Sequence, residues 1–198
     1  MSKNKWTYEH YRLLGKPVLI IDVGAIEREV TWKIAVNNIT SEGYYGHTDN
    51  LDWDRPKKLG VSLQKNKLND SILIAAQHKK SLQWEGMPSL EDWTVDLIHK
   101  IRKYSDRHIV VRYHPRCPFF IPSQRFKMLE MNKVISNCVL EFPRQIESTY
   151  DAFDINYSYH AVVNHCSGPG INAVIAGSNV IVDEKSLAYP MSIKLKQI

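Results

Sequence analysis

The sequence predicts an α/β fold in which a parallel sheet is flanked by helices. Three observations carry that expectation. Short β-branched apolar runs alternate with longer amphipathic segments, five such runs fall in the later two-thirds of the chain, and the fourth passes through a small-residue turn straight into a helix-like segment.

The elements follow in order. Tyr8–Leu14 reads as a short helix and Pro17–Asp22 as a strand, after which the polar, Gly- and aromatic-rich stretch Asn37 to Trp53 reads as loop. Residues 54–69, rich in Lys and Asn, read as a connecting segment. The five strand candidates are Ser71–Ala76, His108–Tyr113, Cys138–Phe142, Ala161–His165 and Asn179–Asp183. The clearest helix is Leu90–Tyr104, where Trp93, Leu97, Ile98 and Ile101 fall at helical spacing and Ser89 with Asp92 forms a capping box. Ser123–Asn132, Ile146–Phe153 and Ile171–Ala176 complete the helices. The expected division is a partial N-terminal unit with its connector over residues 1–66 and a sheet domain over residues 67–198.

At 198 residues the chain is long enough to bury a substantial core. Cys117, Cys138 and Cys166 are odd in number, widely spaced and free of a C-x-x-C pattern, so reduced thiols and a cytoplasmic setting are expected. No apolar stretch approaches the ~18 residues that a membrane span requires. The formal net charge of +5 is spread over small clusters such as Lys57-Lys58, Lys79-Lys80 and Lys100 with Arg102 and Lys103. Such clusters serve a polyanion or simply solvate helix faces.

Three places carry potential chemistry. Residues 164–177, Asn-His-Cys-Ser-Gly-Pro-Gly-Ile-Asn-Ala-Val-Ile-Ala-Gly, place Ser167, Gly168 and Gly170 at a strand-to-helix turn, where backbone amides and the helix dipole accommodate a phosphate. Plain turn chemistry favours the same residues. His114, Pro115 and Arg116 follow the strand His108–Tyr113, at the end where open parallel sheets collect ligands; either the imidazole, with Arg112 or Arg116, holds phosphate oxygens, or the His-Pro pair simply ends the strand. Gln77-His78-Lys79-Lys80 occupies the same edge, where Lys79 or Lys80 either meets a diphosphate or, more ordinarily, is a solvated loop charge. Asp22, followed by Val23 and Gly24, is either a general base or a strand-exit cap. Asp52-Trp53-Asp54 reads as a solvated loop rather than a metal site, His160 and His165 lack partners at zinc spacing, and Trp84, Trp93, Tyr157 and Tyr159 serve either as stacking platforms or as core.

Asp22-Val-Gly, Ile72–Gln77, the long helix, the run from Asp106 through His114-Pro115, and Ser167 through Gly177 with Val180–Asp183 together resemble a glycosyltransferase pattern. It is that of the GT-B-type enzymes of phages and bacterial capsule synthesis, distantly similar to sialyl- and Kdo-transferases. The resemblance implies a Rossmann-like donor-binding half over residues 67–198 and an acceptor-side unit before it. It implies Asp22 as base, and His114 with Pro115 and Ser167 as holders of the nucleotide donor. The substrate would be a nucleotide-sugar rather than a resident cofactor, with no metal required. The acceptor would be a surface glycan or a hydroxymethylated phage DNA base, in a bacterial or phage-infected cytoplasm. A non-catalytic nucleotide-sugar-binding remnant and a nucleotide-sugar epimerase are the alternatives.

Overall fold

The computed structural model describes residues 3–26, 30–47, 49, 51–65, 67–115, 117, 137–146 and 153–198. The chain divides into two units, residues 1–62 and 63–198.

In the first unit, helix α1 (Lys3–Leu13) precedes strands β1 (Leu19–Val23) and β2 (Trp32–Val36) and the four-residue helix α2 (Arg55–Lys58). β1 and β2 form an antiparallel ladder with Ile21 opposite Ile34, Asp22 opposite Lys33 and Val23 opposite Trp32. The strand expected over Pro17–Asp22 therefore starts two residues later and runs through Asp22 to Val23. Its partner β2 had no counterpart among the sequence-based expectations. Gly24 is explained by this pairing: its N–H donates to the Thr31 carbonyl at 2.9 Å, and a Cβ there would stand 2.7 Å from the same oxygen.

The second unit is built on five strands: β3 (Asn69–Ala75), β4 (Ile109–Arg112), β5 (Cys138–Glu141), then, after the two-residue strands β6 (Arg144–Gln145) and β7 (Phe153–Asp154), β8 (Tyr159–Asn164) and β9 (Asn179–Ile181). Helix α3 (Leu90–Arg102) connects β3 to β4, and helix α4 (Gly168–Ile175) connects β8 to β9. The spatial order is β5-β4-β3-β8-β9 with every pairing parallel. This is a Rossmann-like arrangement: the chain builds outward from β3 through β4 to β5, then crosses to the other side of β3 for β8 and β9. The direction of winding reverses between β3 and β8.

Alternation along the strands sorts their side chains between two layers. Ile72, Ile74, Ile109, Val111, Ala161 and Val163 pack with Leu90, Ile98 and Ile101 of α3, while Leu73, Ala75, Val110 and Val162 pack with Ala173 of α4 and with Val180. A parallel sheet buried on both faces reads as near-continuous apolar runs, which is how these strands read in the sequence. α3 begins at the expected cap: the Asp92 N–H donates to Ser89 Oγ at 3.1 Å, and that hydroxyl donates to the Asp92 carboxylate at 2.6 Å instead of leaving the acid to reach the Ser89 backbone.

The expected helix Ser123–Asn132 lies outside the described residues, as does most of Ile146–Phe153. Phe153 itself belongs to β7, which pairs antiparallel with β6. Among the described residues, no helix is long and apolar enough to cross a membrane.

Candidate functional site at the carboxyl edge of the sheet

Ala75 of β3 is in register with Arg112 of β4 and Asn164 of β8, and Arg112 with Glu141 of β5, so these four form the last row before the strands give way to loops. Gln77 to Lys80, His114 with Pro115, and the Ser167 turn all follow directly on this row.

Between β3 and β8 the edge is organised by two buried amides. Asn164 donates through Nδ2 to the Ala75 carbonyl at 2.7 Å and to Ser167 Oγ at 3.0 Å, and its Oδ1 accepts the Ser167 N–H at 2.9 Å. Gln77, only 2% exposed, donates through Nε2 to Ser81 Oγ at 2.7 Å and to Gln83 Oε1 at 2.8 Å, and its Oε1 accepts the Cys166 N–H at 3.3 Å. A buried primary amide left unpaired would cost about 1–3 kcal/mol, so these bonds pin the loops after β3 and β8 to each other. Neither Gln77 nor Asn164 stood out as a framework residue in the sequence, because an amide beside a strand end looks like ordinary loop until its strand neighbours are known.

The turn after β8 differs from the phosphate cradle expected of it. The amides of Cys166 and Ser167 are taken by Gln77 and Asn164, and the Gly170 N–H donates to the Ser167 carbonyl at 3.2 Å. Pro169 has no N–H. The Gly168 N–H stands at the first turn of α4. Gly170 is small for a packing reason: a Cβ there would lie 3.0 Å from Val182 Cγ1 and 3.3 Å from Ala188 Cβ. Ser167 caps α4 with extended backbone, while its hydroxyl turns back to Asn164.

Beyond β4, His114 and Pro115 leave the sheet at the same edge. The His114 carbonyl accepts the Cys117 N–H at 2.8 Å, and the Cys117 sulfur accepts the Lys79 N–H at 3.4 Å, which ties the β4 loop to the β3 loop. Burial pushes the Cys117 thiol above its ordinary range, which keeps it protonated. The His114 ring meets that of His78 edge to face, centroids 5.0 Å apart. His78 Nδ1 accepts the Lys80 N–H at 3.0 Å. Arg116 lies outside the described residues.

Arg112, expected near a phosphate, is committed elsewhere. Its guanidinium, 3% exposed, reaches both oxygens of Glu141 at 2.9–3.1 Å and Tyr159 Oη at 3.3 Å, and it packs over the rings of Tyr157 and Tyr159. Tyr157 and Tyr159 are thus a box for a buried cation. Trp84 is likewise structural: it is buried, donates to the Pro88 carbonyl at 3.0 Å, and meets both Trp93 and His165 edge to face. His165 is nearly buried, with Nδ1 3.9 Å from Asp183 Oδ2. His160 sits near the start of β8, away from the edge, and burial lowers its basicity.

Asp22 belongs to the first unit. Its carboxylate lies 3.5 Å from Lys33 Nζ across the β1–β2 ladder, inside a strand rather than at its exit. Among the described residues, no group of three or more His, Cys, Asp or Glu is arranged to hold a metal ion. The three cysteines are free thiols.

No model of a known protein family matches the chain, and no curated protein matches it significantly.

Proposed function

We propose that the protein is a glycosyltransferase that binds a nucleotide sugar at the carboxyl edge of the five-stranded sheet and moves the sugar to a hydroxyl acceptor. One observation carries the reading: His114 after β4 and the Ser167–Gly168 turn after β8 leave the same edge of one parallel sheet, on either side of β3, beside the point where the winding reverses. Open α/β sheets bind ligands at that point. The donor phosphate meets the His114 ring and the Gly168 N–H at the start of α4, where the helix dipole favours negative charge. The same groups stabilise the nucleotide phosphate as it departs. Pro115 and Gly170 shape this crevice rather than bond the ligand, and Ser167, engaged with Asn164, positions the turn.

The family resemblance supports Asp22 as the candidate for the base that takes the acceptor proton. The acceptor is a glycan hydroxyl or a hydroxymethylated DNA base; steep salt dependence of duplex binding identifies the second, because neutralising phosphates releases counterions. The decisive experiment is a thermal-shift and transfer panel of CMP-, UDP- and GDP-sugars. A donor present at ~100 times its Kd adds about 2.7 kcal/mol of stability. Asp22→Asn is expected to lower turnover by about 10²–10⁴-fold with donor binding unchanged. Unchanged turnover in Asp22→Asn removes Asp22 from the mechanism, and a panel without any shift removes the reading as a whole.

A second reading, a nucleotide-sugar-binding protein without transfer activity, is favoured by the Asp22–Lys33 pair. A carboxylate held inside an antiparallel ladder and paired with an ammonium is a structural cross-strand contact. Donor binding with no hydrolysis or transfer across an acceptor screen selects this reading over the first.

A further inference from the structure

The ladder of the first unit leaves one sheet face uncovered. Side chains alternate along a strand, so the register Leu19–Val36, Ile21–Ile34 and Val23–Trp32 puts these six residues on one face and Asp22, Lys33 and Ala35 on the other. Tyr44 joins the first face, because it pairs antiparallel with Val36 through two backbone bonds of 2.9 and 3.2 Å, one in each direction. Leu19, Ile21, Trp32, Ile34 and Tyr44 are each more than half exposed. Side chains of this bulk carry about 150–250 Å² each, so the five leave roughly 500 Å² of neighbouring, mostly apolar surface. The largest patch on a soluble monomer is about 300–600 Å², and one side of a stable interface buries about 800 Å². The ladder thus offers more than half of one side of an interface.

The chemistry of this face suits a second copy of itself. None of its seven residues is charged, and the ladder's own charges, Asp22 and Lys33, stand on the far face and meet each other at 3.5 Å. A partner recognised by charge finds nothing here to pair with. Residues 1–62 hold nine Lys and Arg against eight Asp and Glu, so the unit lacks the basic excess that keeps a peripheral protein on anionic lipid. Against an identical face, by contrast, no charge is buried. The pairing also supplies symmetry: Ile21–Ile34 is the middle pair, with Leu19–Val36 and Val23–Trp32 on either side, so a two-fold axis at that pair sets branched and aromatic side chains against their own kind. Two strands are marginal alone in water and gain stability from a packed layer. A second ladder provides that layer at about 10 Å, the spacing of sheets packed face to face, and it is present wherever the chain is.

We propose that two copies of the chain associate through this face, ladder on ladder, as an isologous dimer. The association does not depend on the donor-binding reading above. The interface is modest, so micromolar affinity is expected. In more dilute solution the copies separate and the ladder is exposed as described, which is the state that unfolding of the single chain reports.

The test is sedimentation equilibrium of the full chain across the micromolar range, where monomer and dimer are expected in exchange. Ile21→Glu and Ile34→Glu each bring two carboxylates to the axis of every dimer, one per copy, and should weaken association at least about 100-fold. Tyr104→Glu, which puts the same charge on an exposed position of the second unit, should leave it unchanged. Ile21 and Ile34 are exposed in the separated chain, so these variants are expected to fold, and circular dichroism checks that. A readout without any substitution comes from mixing copies that carry isotope-labelled Ile methyls with unlabelled copies: NOEs should connect the Ile21 and Ile34 methyls of one copy to the Trp32 ring of the other. A chain that stays monomeric throughout overturns the proposal, whatever else is then found on the face, binding to anionic or neutral lipid vesicles included. A dimer that survives both glutamates, or that lacks those NOEs, overturns it by placing the contact elsewhere. Either result leaves nucleotide binding at the carboxyl edge of the five-stranded sheet to be judged by its own experiment.

Discussion

Residues 63–198 and residues 1–62 handle apolar surface in opposite ways. In the second unit Ile72, Leu73, Ile74, Ile98, Ile101, Ile109 and Val111 are all 0% exposed, and the sheet is covered on both faces. In the first unit Ala35 and Ile39 are the buried apolar residues among those described, while Leu19, Ile21, Trp32 and Ile34 on one face of the β1–β2 ladder are each more than 50% exposed. Both units contain strands of similar composition. The difference is the number of strands that meet: five strands with helices on both sides make a core, whereas two strands leave one face open and are marginal alone. A framework able to hold buried Gln77 and Asn164 in fixed positions therefore exists in the second unit, and the candidate site is found there.

The sharpest test of this contrast is Arg112. Arg112→Ala removes the partner of Glu141 and Tyr159 from a buried position and is expected to cost about 3–5 kcal/mol in urea unfolding. A loss below about 1 kcal/mol would mean that the cation is far more solvated than its 3% exposure implies. Arg112→Met, which keeps volume and lets the partly exposed Glu141 rehydrate, should lose less.

Ile98→Ala in the second unit and Ile21→Ala in the first compare the two environments directly. The former is expected to cost about 2–5 kcal/mol through lost burial and a cavity. The latter should stay within about 0.5 kcal/mol of the parent. Equal losses would show that the exposed face of the ladder is covered in solution.

Alkaline pH offers a third comparison. Burial holds the Tyr113 hydroxyl at about 12, above its ordinary 10, while the unfolded chain releases that proton first. Its contribution is intact below pH 10 and is lost as pH rises from 10 towards 12, roughly 2–3 kcal/mol over that interval. Tyr113→Phe should flatten that part of the stability curve. Tyr45 in the first unit is also pushed up to about 12, by partial burial and then by the nearby Asp22 charge. Its ring is 43% exposed, so solvent screens the effect and Tyr45→Phe should alter the curve less.

The smallest difference concerns two glycines with left-handed backbone. Gly177 has φ +81° and lies where a Cβ would be 2.6 Å from the Gln64 carbonyl oxygen, whereas Gly15 has φ +65° and open space around it. Gly15→Ala should cost about 1 kcal/mol for the backbone conformation alone, and Gly177→Ala more, because the Gln64 carbonyl must also move. A reversed order in thermal melting would contradict this account.

Much of the second unit was legible in the chain because its signals are local. Each of the five strand candidates corresponds to a strand, with ends shifted by up to two residues, and Leu90–Tyr104 contains α3 together with its Ser89 cap. β-branched runs, a 3.6-residue stripe and a capping box act within one segment, so no partner need be known. β2 was missed because Trp32–Val36 acquires its role only by pairing with β1. Asp22 was readable as a strand-exit carboxylate, yet the ladder continues past it and turns it towards Lys33.

The site divides along the same line. That His114 and the Ser167 turn follow strands is a property of the sequence, since each sits directly after an apolar run. Which strands are neighbours is decided only when the sheet assembles, because parallel partners are joined by long connections and their order depends on which faces the helices cover. That order sends Arg112 to Glu141, places Gln77 against Cys166 and stands His78 beside His114. Residue type sets which groups are capable of holding an anion; packing of the strands sets which of them remain available to do so.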